Sequence, residues 1–316
     1  MQRTSEKKLS ILIPVYNWDL SLLLNRILGE IDECRLGDAV EVIVLDDCSS
    51  DEDLCAKNGS LVSGSGRDYL RYGKLERNAG RSAVRNLLAA KASARYLLFL
   101  DCDVLPDEDS FIRSYLAHAE VGEFDVVCGG ISYRTRVLNG TEYDYHAYLG
   151  NKKEVKPAAQ RNLAPWRHIL TSNIMVRKSV FVGTPFDECF TGYGYEDIEW
   201  GVRLARSYRI LHIDNTASHL GLVTKERAYA KMRDSVVNYL LLRQICPEAF
   251  EASTVAKLVR LFRCAAPSIL QALDRTLGRC FLSYRFNDRL AFVLFQCNFA
   301  VLLALACKPG KREGDA

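Results

Sequence analysis

The chain has 316 residues, 48% of them hydrophobic and 26% charged. That composition excludes a disordered or low-complexity protein, and the length suits one large domain with an appendage. The net charge of +3 is small but uneven: residues 1–222 hold 31 acids and 27 bases, whereas residues 223–316 hold 8 acids and 15 bases.

In chain order, Leu9 to Val15 is a continuous apolar run that predicts a buried strand, ended by the turn-like Tyr16-Asn17. Asp19 to about Glu33 carries leucines and Ile27 at helical spacing, and Val40 to Leu45 is again a β-branched run. Tyr69 to Leu75 predicts a weaker strand, Gly80 to Ala94 a helix, and Arg95 to Leu100 a strong strand. Asp107 to Ala119 predicts a helix and Asp125 to Tyr133 a strand. Thr171 to Val176 is a further strand, with a short helix at Lys178 to Phe181. Strands alternating with helices predict an α/β fold with a mostly parallel, Rossmann-like sheet flanked by helices, in which ligands bind beyond the carboxyl ends of the strands.

Those strand ends hold polar clusters. The first ends in Pro14-Val15-Tyr16-Asn17, the second in Asp46-Asp47, and the fourth in Asp101-Cys102-Asp103. Asp101 and Asp103 at the mouth of a core repel one another unless something positive lies between them. A hard divalent cation, Mn²⁺ or Mg²⁺, held against a phosphate-bearing ligand relieves that repulsion. Asp46 or Asp47 suits a nucleobase N–H or a ribose hydroxyl, while Ser50 or Asp51 suits a cap of the next helix. Asn78-x-Gly80-Arg81 opens a helix that also presents Arg85 and Asn86, a set that suits pyrophosphate or a base. Gly192-Tyr193-Gly194-Tyr195-Glu196-Asp197 leads an acidic cluster into a helix N-terminus, either to meet a ligand closely or simply to cap the helix.

PVYN at 14–17, VLDDCSSD at 44–51, NAGRSAVRN at 78–86 and LLFLDCDVLP at 97–106 resemble, in that order, the nucleotide-sugar half of a family 2 glycosyltransferase of the GT-A fold. The resemblance covers about residues 1 to 222. It implies that Tyr16 stacks on the base, within a donor motif that includes Pro14 and Asn17. It implies that Asp47 binds the uracil edge with Asp46 in support, and that Asn78 and Arg81 or Arg85 face the nucleotide. Asp101 and Asp103 would hold the ribose and the metal. The Gly-x-Gly-x-Glu-Asp segment resembles that of inverting GT-A enzymes, which makes Asp197 the general base and Glu196 an orienting group. Gly194 and Tyr195 then belong to the acceptor side. His219 stands where such enzymes place a metal ligand or an acceptor contact; a structural role is the alternative.

The implied activity is transfer of a hexosyl group from a UDP-sugar to a hydroxyl of a saccharide or lipid-linked acceptor, with Mn²⁺ or Mg²⁺ and no nucleic-acid partner. A nucleotidyltransferase would want a glycine-rich basic loop where this chain has PVYNWD. A non-catalytic nucleotide-sugar or carbohydrate binding module would be signalled by loss of Asp197 or of the Asp101/Asp103 pair. The insertion from Arg134 to Arg167, with Tyr143, Tyr145, Tyr148 and Trp166, predicts either an acceptor loop, with Trp166 in contact with the sugar, or a packing helix.

From Lys225 on, the pattern becomes long helices, so a domain at 1–222 and a helical extension at 223–316 are expected. Ala291 to Cys307 is an apolar run at the short edge of a membrane span, and a buried or interfacial helix is favoured over one that crosses. The basic, apolar tail suits peripheral contact with an anionic membrane surface, which is also the mark of a membrane-associated assembly subunit. Eleven scattered cysteines without a CxxC, and no apolar leader in MQRTSEKK, predict a cytoplasmic protein, at most at the inner face of a membrane.

Overall fold

The computed structural model describes residues 7–308. Its contacts divide into two compact units. The first comprises residues up to Asn139, Gly150–Thr191 and Glu196–Leu222; the second comprises Gly140–Leu149, Gly192–Tyr195 and the chain from Val223 on.

The first unit opens with β1 (Leu9–Val15), α1 (Ser21–Glu33), β2 (Val40–Asp46), α2 (Glu52–Ser63), β3 (Leu70–Lys74), α3 (Arg81–Lys91) and β4 (Tyr96–Leu100). It continues through β5 (Val104–Pro106), α4 (Phe111–Val121), β6 (Val126–Cys128) and β7 (Ile131–Ser132). After α5 (Thr141–Lys153) come α6 (Ala158–Arg161), a 3₁₀ turn at Pro165–His168, β8 (Asn173–Arg177), α7 (Lys178–Gly183), α8 (Glu196–Ala205), β9 (Ile210–His212) and β10 (Ala217–His219).

Seven strands form one sheet in the order β3-β2-β1-β4-β8-β6-β9, and β5-β10-β7 form a second. β1 runs parallel to both β2 and β4, with Leu9 opposite Val40 on one side and Tyr96 on the other. The carboxyl ends of β1, β2 and β4 therefore share one edge, and the chain order reverses across β1, the position where such sheets open a crevice. The sheet is mostly parallel, as the βα alternation predicts; β8 alone runs against its neighbours β4 and β6.

The apolar runs are long because both faces are covered. Leu9, Ile11 and Ile13 pack with α1 and α4 residues such as Leu24, Ile27 and Phe111. Leu12, Ile43, Leu97 and Phe99 face the other way, toward Leu88, Phe181 and Trp200. Glu30 on α1 accepts from the backbone N–H groups of Ile112 and Arg113, 2.9 Å each, and so caps α4 from a neighbouring helix.

The strand predicted over 125–133 is two strands. Gly129 is packed so tightly that a Cβ would collide with the Tyr115 hydroxyl and the Asn215 carbonyl, and Gly130 has φ +87°. The chain leaves the first sheet there and joins the second. The fully buried Arg161 locks this corner by donating to the carbonyls of Lys156, Cys128, Gly129 and Ile213.

The second unit contains α9 (Lys225–Ile245), α10 (Pro247–Glu251), α11 (Thr254–Phe262), α12 (Pro267–Leu282) and α13 (Asp288–Ala306). α13 is long and apolar enough to cross a membrane, yet it packs against α9, α11 and α12. One of its buried amides, Asn298, donates to the Asp274 carbonyl and carboxylate at 3.0 Å each. In the insertion, the α5 residue Tyr145 is buried against Phe281 and Phe295, so this part of it is a packing helix.

Candidate active site

The turn after β1 is fastened to the turn after β2. Asn17, at φ +48°, donates its backbone N–H to Ser49 Oγ (2.8 Å) and its amide to Ser50 Oγ (3.0 Å), and accepts from the Asp51 N–H (3.0 Å). Asn17 is thus a structural tie, whereas Tyr16 beside it is 50% exposed. Pro14 is half-buried within β1, opposite Leu45.

Asp46 is fully buried at the end of β2; it accepts from the Ser49 N–H at 2.6 Å and from the Tyr72 hydroxyl at 3.0 Å. Asp47 accepts from the N–H groups of Ala79 (2.6 Å) and Gly80 (3.0 Å), and Asn78 donates to its carbonyl at 2.9 Å. Both carboxylates therefore shape the loop around them. Burial, reinforced by the charge of Asp46, raises the Asp47 pKa against the pull of the two backbone bonds. Each Asp47 oxygen has a second lone pair for a ligand. Asp51 caps α2 by accepting from the Leu54 N–H.

Gly80, at φ +86°, starts α3, whose Val84, Leu88 and Ala89 pack with Leu12, Ile43 and Phe99 of the sheet. Arg85, one turn on, is buried; Nη2 lies 2.7 Å from Asp101 Oδ1 and Nη1 lies 3.7 Å from Glu196 Oε1. Arg81, half-exposed, lies 4.0 Å from the same Glu196 oxygen. One guanidinium thus joins the acid at the exit of β4 to the acid that opens α8, 95 positions later in the chain.

Next to Glu196, burial and then the charge of Glu196 push the Asp197 carboxyl up to about 7, against the Arg85 and Arg81 charges and a hydrogen bond from the Ile198 N–H. A carboxylate that titrates near neutrality, held beside cations at a helix start, is equipped to take a proton.

Asp103 is reached from the second sheet. β10 pairs antiparallel with β5, His219 opposite Val104, so the imidazole comes beside Asp103, with Nε2 3.3 Å from Oδ2. Burial presses the His219 pKa down, but the hydrogen bond and charge of Asp103 outweigh it and the net shift is upward. Tyr133 meets the His219 ring edge-on at 5.7 Å and donates to Glu154 at 2.7 Å. Gly221 lies against Asp103, where a Cβ would strike the carboxylate.

Among the described residues no three His, Cys, Asp or Glu side chains converge on one point. Asp103 and His219 are nonetheless an oxygen and a nitrogen donor side by side, while Asp101 is engaged by Arg85. That pair fits Mn²⁺ or Mg²⁺, which takes few protein ligands and fills its other positions with phosphate oxygens and water.

Two expected acceptor residues, Gly194 and Tyr195, lie in the second unit at φ +80° and +73°; the Gly194 carbonyl accepts from Asn238 at 2.9 Å, and Tyr195 packs on Tyr239. Trp166 lies in the 3₁₀ turn against α8, its carbonyl facing Gly201 and its ring under Arg167. Sequence reasoning passed over Tyr133 and Gly221. A glycine two residues after a candidate ligand histidine was the available signal for the second.

At 32% identity over 222 residues the chain is similar to a validoxylamine A glucosyltransferase of Streptomyces hygroscopicus subsp. limoneus, with 62% of this chain and 47% of the relative covered. It is 26% identical over 243 residues to the glycosyltransferase YfnE of Bacillus subtilis, covering 62% of this chain and 60% of that one. The chain spans about half the length of the curated relatives it matches. Among solved structures, residues 1–349 of S. aureus TarS share the fold with a TM-score of 0.54 at 19% identity, over 94% of this chain and 90% of that one. The mannosyltransferase PcManGT of Pyrobaculum calidifontis, solved with GDP-Man and Mn²⁺, gives 0.56 at 13% identity, over 96% and 87%. The fold is therefore GT-A-like, with a helical C-terminal region. The family model described as glycosyl transferase family 2 matches residues 10–182, more than half of the sequence, and the chain belongs to that family.

Proposed function

We propose that the chain is an inverting glycosyltransferase that moves a sugar from a UDP-sugar to a hydroxyl of a saccharide or lipid-linked acceptor. The observation that carries the reading is the buried Arg85, which ties Asp101 to Glu196 beside Asp197 and so couples the two halves of a displacement. Solved UDP and UDP-GlcNAc complexes of the TarS fold relative support the donor class.

Tyr16 stacks on the base, Asp47 receives its N–H edge, Asp46 braces the loop, and Asn78 and Arg81 line the nucleotide side. Asp101 meets the ribose. Asp103 and His219 would hold Mn²⁺ or Mg²⁺, which would supply positive charge to the leaving diphosphate. Asp197 takes the proton of the acceptor hydroxyl as its oxygen bonds to the anomeric carbon. The carbon–oxygen bond to the diphosphate breaks with its electron pair going to UDP, so configuration inverts. Glu196 orients the acceptor side with Trp166. Transfer resides in residues 1–222, with 223–316 as an extension that is helical over its described residues, and the protein works in the cytoplasm at the inner face of a membrane.

A screen of nucleotide sugars for divalent-metal-dependent UDP release tests the reading; release from none of them, with or without acceptor lysates, would contradict it. Gly221→Ala crowds Asp103 and is expected to raise the Mn²⁺ concentration for half-maximal turnover at least about 10-fold, the scale of a displaced supporting contact. An unchanged metal titration would separate Asp103 from the metal.

A further inference from the structure

The turn between α12 and α13 carries a surface that transfer does not use. Leu290 and Val293, three residues apart and so on one face of α13, are 43% and 50% exposed, and Phe286 just before them is 37% exposed. From Leu294 to Leu305 no residue of α13 is exposed, so its large exposed apolar side chains are confined to this tip.

Charge is segregated on the same segment. Every exposed charged residue from 275 to 293 is an arginine: Arg275, Arg279, Arg285 and Arg289. Among the described residues Arg279, Arg285 and Arg289 form no ion pair. The one acid of the segment, Asp288, is half-buried and acts on Lys225 and Tyr145 within the unit. Asn287 caps α13 at Leu290 N–H, and Tyr284, at φ +53°, donates to Glu226 at 3.1 Å, so the turn is a built one.

We infer that this hairpin tip docks on an anionic lipid bilayer surface, with Phe286, Leu290 and Val293 entering the acyl boundary and the arginines meeting lipid phosphates. Exposed apolar side chains flanked by cations are the combination that an anionic interface takes up, and the exposed Glu226 beside the turn is engaged by Tyr284. A twofold contact with a second copy would set the same arginines face to face. An acidic protein or polysaccharide would use the arginines and leave the three apolar side chains without a purpose. The inference deepens the membrane placement proposed above and involves none of the residues assigned to transfer.

The test is co-sedimentation of the full chain with vesicles of phosphatidylcholine alone and of phosphatidylcholine mixed with phosphatidylglycerol. Binding to the mixed vesicles only, weakened by salt, is expected. Arg285→Gln with Arg289→Gln should lower it about 30-fold, the loss of two juxtamembrane charges, and Leu290→Ser with Val293→Ser should also weaken it. Absence of binding, equal binding to both vesicles, or variants that bind like the parent would overturn the inference. So would a concentration-dependent dimer that the same variants dissolve. UDP release in solution, measured in parallel, is expected to be unchanged in these variants; vesicle failure with intact UDP release sinks only the docking surface, and loss of UDP release in the parent sinks only the transfer reading.

Discussion

Asp197→Asn is expected to lower turnover by about two to four orders of magnitude, the usual contribution of a positioned general base, while UDP binds as tightly as before. The amide keeps the shape and loses the proton acceptor, so the effect falls on kcat rather than on the donor complex. In the parent enzyme the base must be ionised, and burial beside Glu196 holds its pKa near 7. kcat/KM should therefore fall about tenfold per pH unit below that value and level off above it. The raised pKa has a second consequence. The folded chain holds this proton between the ordinary Asp value of 3.8 and about 7, where the unfolded chain has released it, so the group's contribution to stability declines as pH rises through that window. Asp197→Asn removes the decline and should melt at a higher temperature than the parent at pH 8. A variant with parental turnover, or a pH profile without the acid limb, would remove Asp197 from the chemistry.

Asp103→Ala is expected to abolish the response of turnover to Mn²⁺ and to lower turnover by about 100-fold or more, the scale of several kcal/mol supplied by a Lewis acid. His219→Ala should act in the same direction, because β10 sets the imidazole beside Asp103. Asp101→Asn should differ: its partner is Arg85, and losing that charge leaves the guanidinium biased toward Glu196. It is expected to weaken donor binding and to keep a metal response. Equal metal titrations for the Asp103 variant and the parent would contradict the assignment.

Much of this was legible in the chain. Continuous apolar runs such as residues 42–45 and Tyr96–Leu100 are what strands covered on both faces require, and the acids that follow them, Asp46-Asp47 and Asp101, stand out at the strand exits. The roles of those acids were less legible. Asn17, Asp46 and Asp47 sit in donor motifs, yet each is engaged with backbone or side-chain partners 3 to 34 residues away, contacts that only the folded loops define. The break at Gly129-Gly130 was hidden because β-branched residues flank it on both sides and the crowding comes from Tyr115 and Asn215. The family resemblance implies that Arg81 or Arg85 faces the nucleotide. The fold buries Arg85 between Asp101 and Glu196, two acids that lie far apart in the chain and meet only once β4 and α8 are in place.

The central claim is that Asp103, at the exit of β4 and beside His219, shares a divalent ion with a sugar diphosphate. Calorimetric titration of the full chain with UDP, with and without Mn²⁺, tests it most directly. The account predicts that Mn²⁺ tightens UDP binding at least about 10-fold and that Asp103→Ala erases the difference. The same weak heat in both conditions would contradict it.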